Sequence, residues 1–372
     1  MGPFSSIEEL VRAKTTDLPV MCLLPEGARA AAREFVQGFP GEVLYAVKAN
    51  PERRLLGWLL EGGVAGFDAA SIAEIGLVRA CAPKAGCYFN HPVKPRRSIA
   101  QAYREHGVRD FVVDHAGELD KVLEEAGRDV TVEVRIAADS QQARVTFGAK
   151  FGAAPADAVA LLRAVKARGA APAICMHVGY QTANPAAFEA GMNLAASVMR
   201  EAAVAAAYLN VGGGFPSVLM PRGRHLRDFF ARIRAAREAD ATLARLPLKC
   251  EPGSALAHPA AAVLAQVLAV NRGRVYLNDG VYGALFELLH TRIQPPTRIL
   301  APDGTERDGA QESFTVFGPT CDSYDTIPVP FTLPAAVREG DWLVLAQMGA
   351  YSSAAITDFN GLGAHETAVI GT

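Results

Sequence analysis

The feature that most constrains the fold is a regular alternation of apolar runs and amphipathic segments through the first two thirds of the chain. The runs have the length and the β-branched and aromatic content of buried strands, and the segments between them repeat apolar residues at helical spacing. Eight strand-then-helix units are present, which is the number that a (β/α)8 barrel requires. The predicted strands are 42–48, 64–67, 86–90, 109–114, 130–136, 172–178, 208–211 and 246–251, and the predicted helices include 71–81, 95–106, 116–126, 155–168, 185–206 and 225–243.

A doubly wound open sheet is the alternative fold for the same alternation. That fold commonly has a Gly-rich turn after its first strand. Here the first strand leads into YAVKAN (residues 45–50), which contains no glycine. The sequence therefore favours an α/β fold of the TIM-like barrel type.

After residue 254 the sequence predicts an all-β domain, because short β-like runs are separated by Pro/Gly-rich turns and helical periodicity is nearly absent. A strand-like VMCLL near the N-terminus could join that sheet. A chain of 372 residues is long enough for a barrel and a second domain. We expect an N-terminal segment (1–25) that joins the β domain, a barrel (26–254) and a C-terminal β domain (255–372). The β-like runs are 262–271, 274–278, 313–317, 341–348 and 367–371.

Composition excludes several classes of protein. The chain is 50% apolar and 20% charged with a formal net charge of -2, so it lacks the basic excess expected of a nucleic-acid partner. It shows no secretory signal pattern and no apolar stretch of membrane-spanning length, so we expect no membrane association. The cysteines have no C-x-x-C pair, which predicts no disulfide framework and no metal site, and we expect a reducing cytoplasm. They are Cys22, Cys81, Cys87, Cys175, Cys250 and Cys321.

Polar residues are concentrated at the carboxyl ends of the predicted barrel strands. Active sites of this fold lie at that end of the barrel, so these residues form the candidate active site. The residues are Lys48, Asp68, Asn90, His177, Gly212, Gly213, Gly214 and Glu251.

Each of these residues has a structural interpretation beside the chemical one. Lys48 suits covalent attachment of a carbonyl compound, although most lysines at such positions point into solvent. The glycines 212–214 suit a phosphate or a simple tight turn. Glu251 suits a protonated pyridine nitrogen or a turn cap before Pro252. His177 suits stacking on a flat ring or a place in the core.

Two further candidates lie in the predicted β domain. In GPTCDSYD (318–325), Cys321 and Asp322 could act as a proton donor and an amine anchor, or as a buried thiol beside a turn aspartate. Tyr351 could bind a ligand or could be a core aromatic residue whose hydroxyl reaches a partner.

Taken together, ten motifs in order resemble the ornithine/lysine/arginine/diaminopimelate decarboxylases, which are pyridoxal-phosphate enzymes of the alanine racemase-like fold type III. GPTCD resembles the ornithine decarboxylase branch in particular. The motifs are YAVKAN (45–50), FDAASIAEI (67–75), KFG (150–152), HVG (177–179), GGGFP (212–216), EPG (251–253), NDGVYG (278–283), GPTCDSYD (318–325), GDW (340–342) and MGAY (348–351).

The resemblance implies pyridoxal 5′-phosphate (PLP) as the cofactor, with Lys48 as its covalent attachment, His177 stacked on its ring and Glu251 paired with the ring nitrogen. It also implies a homodimer with shared active sites, in which Cys321 and Asp322 enter from the neighbouring subunit to supply a proton and to meet the distal group of the substrate. Asp68 and Glu74 match the motif near the lysine, and Lys150 and Asp325 match positions expected to pair across the dimer. The residues implied to hold the phosphate are Gly212, Gly213, Gly214, Gly253 and Tyr351.

The reaction implied is decarboxylation of an amino acid to an amine, with a basic, ornithine- or lysine-like substrate. A racemase on the same fold is an alternative that Glu251 disfavours, because family racemases place an arginine at the ring nitrogen. A non-catalytic homologue that has lost PLP is the other alternative, motivated by Ser254 and Tyr180.

Three departures from the family pattern concern ligand binding. Ser254 stands where an arginine commonly binds the phosphate, and Tyr180 stands where a serine is usual. In the segment after NDGVYG the family is expected to have an aspartate or glutamate that binds the distal amine of the substrate. Here that segment contains Glu287, so the anchoring of a basic side chain departs from the usual pattern, and Arg292 there could indicate a carboxylate-bearing substrate. The substrate candidates in this segment are His290, Thr291 and Arg292.

Overall fold

The computed structural model describes residues 3–138, 150–217 and 225–371, and the chain divides into two compact units. One unit combines residues 1–31 with 256–372, and the other comprises residues 32–255. The first unit begins with helix α1 (Ile7–Ala13) and strand β1 (Val20–Leu23).

The second unit contains a closed barrel of eight parallel strands, which confirms the predicted fold class. Each strand pairs with the next along the chain, and β9 closes the ring by pairing with β2. The strands are β2 (Glu42–Ala46), β3 (Gly66–Ala69), β4 (Gly86–Phe89), β5 (Asp110–Val113), β6 (Thr131–Arg135), β7 (Ala171–Cys175), β8 (Leu209–Asn210) and β9 (Leu248–Cys250). The accompanying helices are α2 (Pro25–Gly38), α3 (Arg53–Glu61), α4 (Ile72–Cys81), α5 (Arg96–Arg104), α6 (Ala116–Ala126), α7 (Pro155–Ala167), α8 (Ala186–Ala202), α9 (Leu226–Ala239) and the short α10 (Ser254–Ala257).

The segment FDAASIAEI forms a strand end followed by a capped helix. The Ser71 side chain accepts a hydrogen bond from the Glu74 backbone N–H, and the Glu74 carboxylate accepts one from the Ala70 N–H at 2.7 Å. This arrangement resembles a capping box, except that the carboxylate accepts from the residue before the N-cap, and it satisfies backbone donors at the start of α4. Glu74 therefore fixes the turn that follows Asp68.

An aromatic cluster anchors the chain immediately after the triple glycine. Phe215 is fully buried and stacks on Phe188 with ring centroids 4.6 Å apart, and it meets Phe35 edge-on at 5.3 Å. Such aromatic pairs add about 0.5–1.5 kcal/mol each beyond the burial of their area. The turn after β8 is therefore held from its C-terminal side by the helical layer.

The first unit contains a sheet of eight strands in the order β12–β15–β10–β11–β13–β14, with β1 beside β10 and β16 beside β1. Strand β1, which contains most of the run VMCLL, pairs with both β10 and β16. Strands β12 and β14 and helix α11 were not predicted; they are short and carry no clear periodicity. The elements are β10 (Ala261–Asn271), β11 (Arg274–Leu277), α11 (Glu287–Thr291), β12 (Thr297–Leu300), β13 (Gln311–Phe317), β14 (Phe331–Pro334), β15 (Trp342–Leu345) and β16 (Glu366–Val369).

No helix in the described ranges is long and apolar enough to cross a membrane.

Candidate active site

The lysine predicted at the end of the first barrel strand lies in a single 3-10 turn, Val47–Ala49, directly after β2. Its side chain is 47% exposed, and its Nζ lies 3.4 Å from Asp68 Oδ2 at the end of β3. Asp68 is buried, and among the described residues its Oδ1 has no hydrogen-bond partner. The barrel end therefore presents a primary amine beside a buried carboxylate with unused bonding capacity.

Two side-chain amides hold the carboxylate of Glu251 from one side. Its Oε1 accepts hydrogen bonds from Asn90 Nδ2, at the end of β4, and from Asn210 Nδ2, in β8, the latter at 2.6 Å. Within the described part of the chain, Glu251 Oε2 accepts no hydrogen bond. Glu251 therefore has a fixed orientation and one oxygen that can accept a further donor.

Burial, together with the charges of the nearby carboxylates Asp68 and Glu133, raises the pKa of Glu251 to about 8. The positive charge of Lys48 and the hydrogen bond from Asn210 act in the opposite direction. In this environment a cationic N–H placed against the second oxygen would strongly stabilise the ionised form of the carboxyl group, because that donor supplies both a positive charge and a hydrogen bond.

The imidazole of His177 is neutral at physiological pH. Burial holds its pKa well below the usual range, and the positive charges of Arg135 and Lys48 lower it further. The Gly179 N–H donates to Nδ1 at 3.1 Å, which places the ring proton on Nε2. A neutral, oriented ring of this kind can lie flat against an aromatic ligand.

The triple glycine after β8 packs against the backbone of the two neighbouring turns. A Cβ at Gly213 would lie 2.6 Å from the carbonyl oxygen of Glu251, and one at Gly214 would lie 2.0 Å from the carbonyl oxygen of Gly179. Gly212 and Gly214 also have φ values of +70° and +88°, which side chains rarely adopt. The sequence GGG is therefore required by close approach, and it leaves the backbone N–H groups of Gly213 and Gly214 without neighbouring side chains of their own, as phosphate sites require.

A neutral polar cluster lies beside this turn. The buried Gln181 donates from Nε2 to Ser217 Oγ at 3.0 Å and to Ser254 Oγ at 3.4 Å, and its Oε1 accepts from the Ser217 N–H at 3.0 Å. The Tyr180 hydroxyl lies 3.4 Å from the same Nε2. Both residues that depart from the family pattern, Ser254 and Tyr180, thus belong to one cluster. Gly253, next to Ser254, packs its Cα side against Ala49.

Cys321 and Asp322 belong to the first unit. Asp322 accepts a hydrogen bond from the Tyr282 hydroxyl at 2.5 Å, and this bond lowers the pKa of the carboxyl. Cys321 is exposed, with its Sγ 3.4 Å from Asn360 Oδ1. These side chains lie beside each other on a polar, accessible surface.

The remaining candidates of this unit make local contacts. Thr291 is buried and its hydroxyl donates to the Glu287 carbonyl within α11, while His290 packs against Phe286. Arg292 ends that helix with a φ of +51°. Tyr351 also has a φ of +51°.

Asp325, expected to pair with Lys150 across a dimer, has partners inside its own unit. Its carboxylate accepts from the Val281 N–H at 2.8 Å and from the N–H and hydroxyl of Thr320 at 3.0 and 2.7 Å. The cross-dimer pairing stays a prediction.

Sequence reasoning gave no role to three residues that shape the barrel site. Asn210 donates a hydrogen bond to Glu251, and Gln181 donates to the serine hydroxyls. The charge of Arg135, at the end of β6, lowers the pKa of His177. Arg135 obeys the same strand-end rule that identified the other candidates. Asn210 could have been noticed as an amide within the apolar run LNV.

These features define a class of protein: a (β/α)8-barrel enzyme with a second β unit and a site at the strand ends for a phosphorylated, nitrogen-containing cofactor. A lysine amine, a carboxylate with one available oxygen, a neutral histidine and a bare glycine turn together match the groups of PLP. The unpartnered Asp68 Oδ1 supplies a further buried acceptor for it.

Comparison with known proteins agrees with this class. Residues 26–258 match the family described as "Pyridoxal-dependent decarboxylase, pyridoxal binding domain". The chain is 31% identical to a lysine/ornithine decarboxylase of Selenomonas ruminantium (86% of this chain, 81% of the relative) and 33% identical to an ornithine decarboxylase of Panagrellus redivivus (85% and 77%). The arginine decarboxylase of Paramecium bursaria Chlorella virus, solved bound to agmatine, superposes with a TM-score of 0.87 at 25% identity (98% of this chain, 99% of that one). The chain belongs to the pyridoxal-dependent decarboxylases, and its cofactor is PLP.

Proposed function

We propose that the protein removes the α-carboxyl group of an amino acid with a basic side chain and releases the corresponding amine. The observation that carries this proposal is Glu251, a carboxylate fixed by two amides at the barrel end that contains Lys48. A carboxylate at the ring nitrogen keeps the ring protonated and electron-withdrawing, which favours loss of carbon dioxide from a bound amino acid.

In this proposal each barrel residue has one task. When bound, PLP supplies an electron sink. Lys48 attaches the cofactor and gives way to the substrate amine, His177 supports the ring face, and Glu251 holds the proton on the ring nitrogen. The phosphate is bound by the glycine turn with the cluster around Gln181.

Asp322 is the proposed anchor for the distal amine, because its carboxyl is ionised at neutral pH and accessible. Cys321 beside it is the proposed proton donor. We propose that both act in the barrel site of a second copy of the chain, so that the enzyme is a homodimer with shared sites. The names of the lysine, ornithine and arginine decarboxylase relatives support a basic substrate.

A visible-range absorption titration of the purified protein with PLP tests the cofactor assignment. We expect a band of lysine-bound cofactor that borohydride removes and that Lys48→Ala lacks. A protein with no such band would contradict the enzyme proposal and favour a non-catalytic homologue.

A panel of amino acids assayed for carbon dioxide release tests the reaction and the substrate. We expect release from ornithine, lysine or arginine, and Asp322→Asn should raise KM for these substrates. Racemised product without gas release would favour the racemase alternative, and release only from an acidic amino acid would exclude the basic substrate.

Mixing two inactive variants, Lys48→Ala and Cys321→Ala, tests the shared site. Heterodimers contain one site with both native residues, so partial activity should return after subunit exchange. No recovery after verified exchange would contradict the shared arrangement.

A further inference from the structure

A second buried acid lies inside the barrel, below the proposed cofactor site. Glu133 in β6 is fully buried, and its Oε1 accepts a hydrogen bond from the Tyr208 hydroxyl at 2.7 Å. The same hydroxyl lies 2.8 Å from Asp110 Oδ1 in β5. Because Tyr208 directly precedes β8 and β5 is not its neighbour in the ring, these contacts cross the barrel interior.

Asn210 joins Glu133 to Glu251. Its Oδ1 accepts the Gly212 N–H at 2.9 Å, which orients the amide so that Nδ2 faces the interior. From there Nδ2 donates to Glu133 Oε2 at 3.1 Å and to Glu251 Oε1 at 2.6 Å. One neutral amide thus bridges two buried carboxyl groups.

The surroundings contain too little positive charge for all of these acids to ionise together. Burial, together with the charge of Asp110, raises the pKa of Glu133 to about 7. The positive charge of Lys249 lowers the pKa of Glu133, and the Lys249 Nζ lies over the Tyr208 ring and is hydrogen-bonded to Tyr88 at 2.9 Å. The titratable and charged groups that face the pair are Asp110, Cys175, Tyr208 and Lys249, with Tyr88 and Glu42 around Lys249, and Asp68, Lys48 and Cys250 around Glu251.

We propose that Glu133 and Glu251 share one proton across the Asn210 amide, and that Glu133 holds this proton whenever Glu251 is ionised against the cofactor. Glu133 is then a positioning residue that sets the charge of Glu251 without touching the ligand. This inference rests on the role proposed above for Glu251.

The shared proton has a direct consequence for cofactor binding. Without the cofactor, ionised Glu133 opposes ionisation of Glu251 by like-charge repulsion. A protonated ring nitrogen draws the negative charge to Glu251, and the proton is then retained on Glu133 instead of being released. When the cofactor is bound, the barrel interior therefore contains one ionised carboxylate, Glu251, and one protonated carboxyl, Glu133.

The experiment is a PLP titration of the full-length protein as a function of pH, with the dissociation constant read from fluorescence or absorbance. In the wild type, affinity should fall on the acid side as Glu251 becomes protonated. Glu133→Gln leaves no neighbouring carboxylate to take the proton from Glu251, so binding must release that proton to solvent, and the midpoint of this acid limb should move to higher pH by about one unit, a tenfold change in proton affinity.

Asp110→Asn is the matched control. It makes the same change of charge and also contacts Tyr208, but Asp110 has no hydrogen bond to Asn210. Its midpoint should not move to higher pH. Equal shifts in Glu133→Gln and Asp110→Asn would overturn the proposal, because they would show a general field and not a bridged pair.

An infrared difference spectrum of the wild-type protein with PLP gives a readout that does not depend on folding of a variant. A buried protonated carboxyl band should be present near neutral pH, and its absence would overturn the proposal. Where Glu133→Gln folds, it should lack this band.

Glu251→Gln distinguishes a failure of the proposed cofactor role of Glu251 from a failure of the shared proton. If it leaves the acid limb in place, the role of Glu251 at the cofactor is wrong. If it abolishes the limb while Glu133→Gln leaves the midpoint unmoved, only the shared proton is wrong.

Discussion

The close packing of the triple glycine allows a quantitative prediction for Gly214→Ala. An alanine there would adopt the left-handed region at φ +88°, which costs about 1–2 kcal/mol. Its Cβ would also lie 2.0 Å from the carbonyl oxygen of Gly179, and such overpacking typically costs about 1–3 kcal/mol. We expect a total near 3 kcal/mol, because the neighbour is backbone and can relax only by moving the turn after β7.

This strain should appear in cofactor binding if the native turn binds the phosphate. About 3 kcal/mol corresponds to a roughly 100-fold rise in the dissociation constant for PLP, measured by absorbance titration. Urea unfolding of the protein without added PLP measures the share of the cost that falls on folding.

Gly76→Ala is the matched control. Gly76 lies within α4, and no atom outside its own helix lies within 4 Å of the added Cβ. This variant should be about 0.5–1 kcal/mol more stable and should bind PLP as the wild type does. If Gly214→Ala bound PLP with unchanged affinity and unfolded at the wild-type urea concentration, the reasoning about the turn would be refuted.

Three further predictions concern single residues. Gln181→Leu removes the amide that orients two serine hydroxyls, so PLP affinity should fall about tenfold in the same titration. Burial lowers the pKa of His365, but its hydrogen bond with Asp279 raises the pKa above the usual value. The folded state therefore gains stability below pH 6.5 that it loses as pH rises through the folded pKa. Urea unfolding of His365→Gln at a series of pH values should lack this dependence on pH. Arg307→Ala leaves the buried Asp341 without its paired guanidinium, so unfolding should cost about 3 kcal/mol less in urea titration.

The strand-end rule explains why so much of the site was readable from the sequence. A barrel places the ends of its strands around one opening, so Lys48, Asp68 and Glu251 could be grouped without knowing any contact. Their proximity follows from topology, and topology follows from the alternation of strands and helices. The strand β1 was also predicted, from the strand-like run VMCLL near the N-terminus.

The parts that sequence did not predict depend on contacts between distant segments. Asn210 and Glu133 are polar residues within strands, and nothing in the sequence marks them as partners. Only the closed ring shows that Asn210 donates hydrogen bonds to both Glu133 and Glu251. Gln181 acquires its role because the turn after β7 packs against the triple glycine. Short strands such as β12 and β14 are defined by their partners and carry little pattern of their own.

The polar interior of the barrel also bears on how the chain folds. Glu133 finds its partners only when β6 and β8 lie on either side of β7 in the ring, and Lys249 of β9 needs Tyr88 of β4. A fragment that stopped short of β8 would bury Glu133 without the amide of Asn210, and one that stopped short of β9 would bury it without Lys249, at a cost of several kcal/mol. Half-barrels of this sequence should therefore not be independently stable, and the ring should form in one cooperative step.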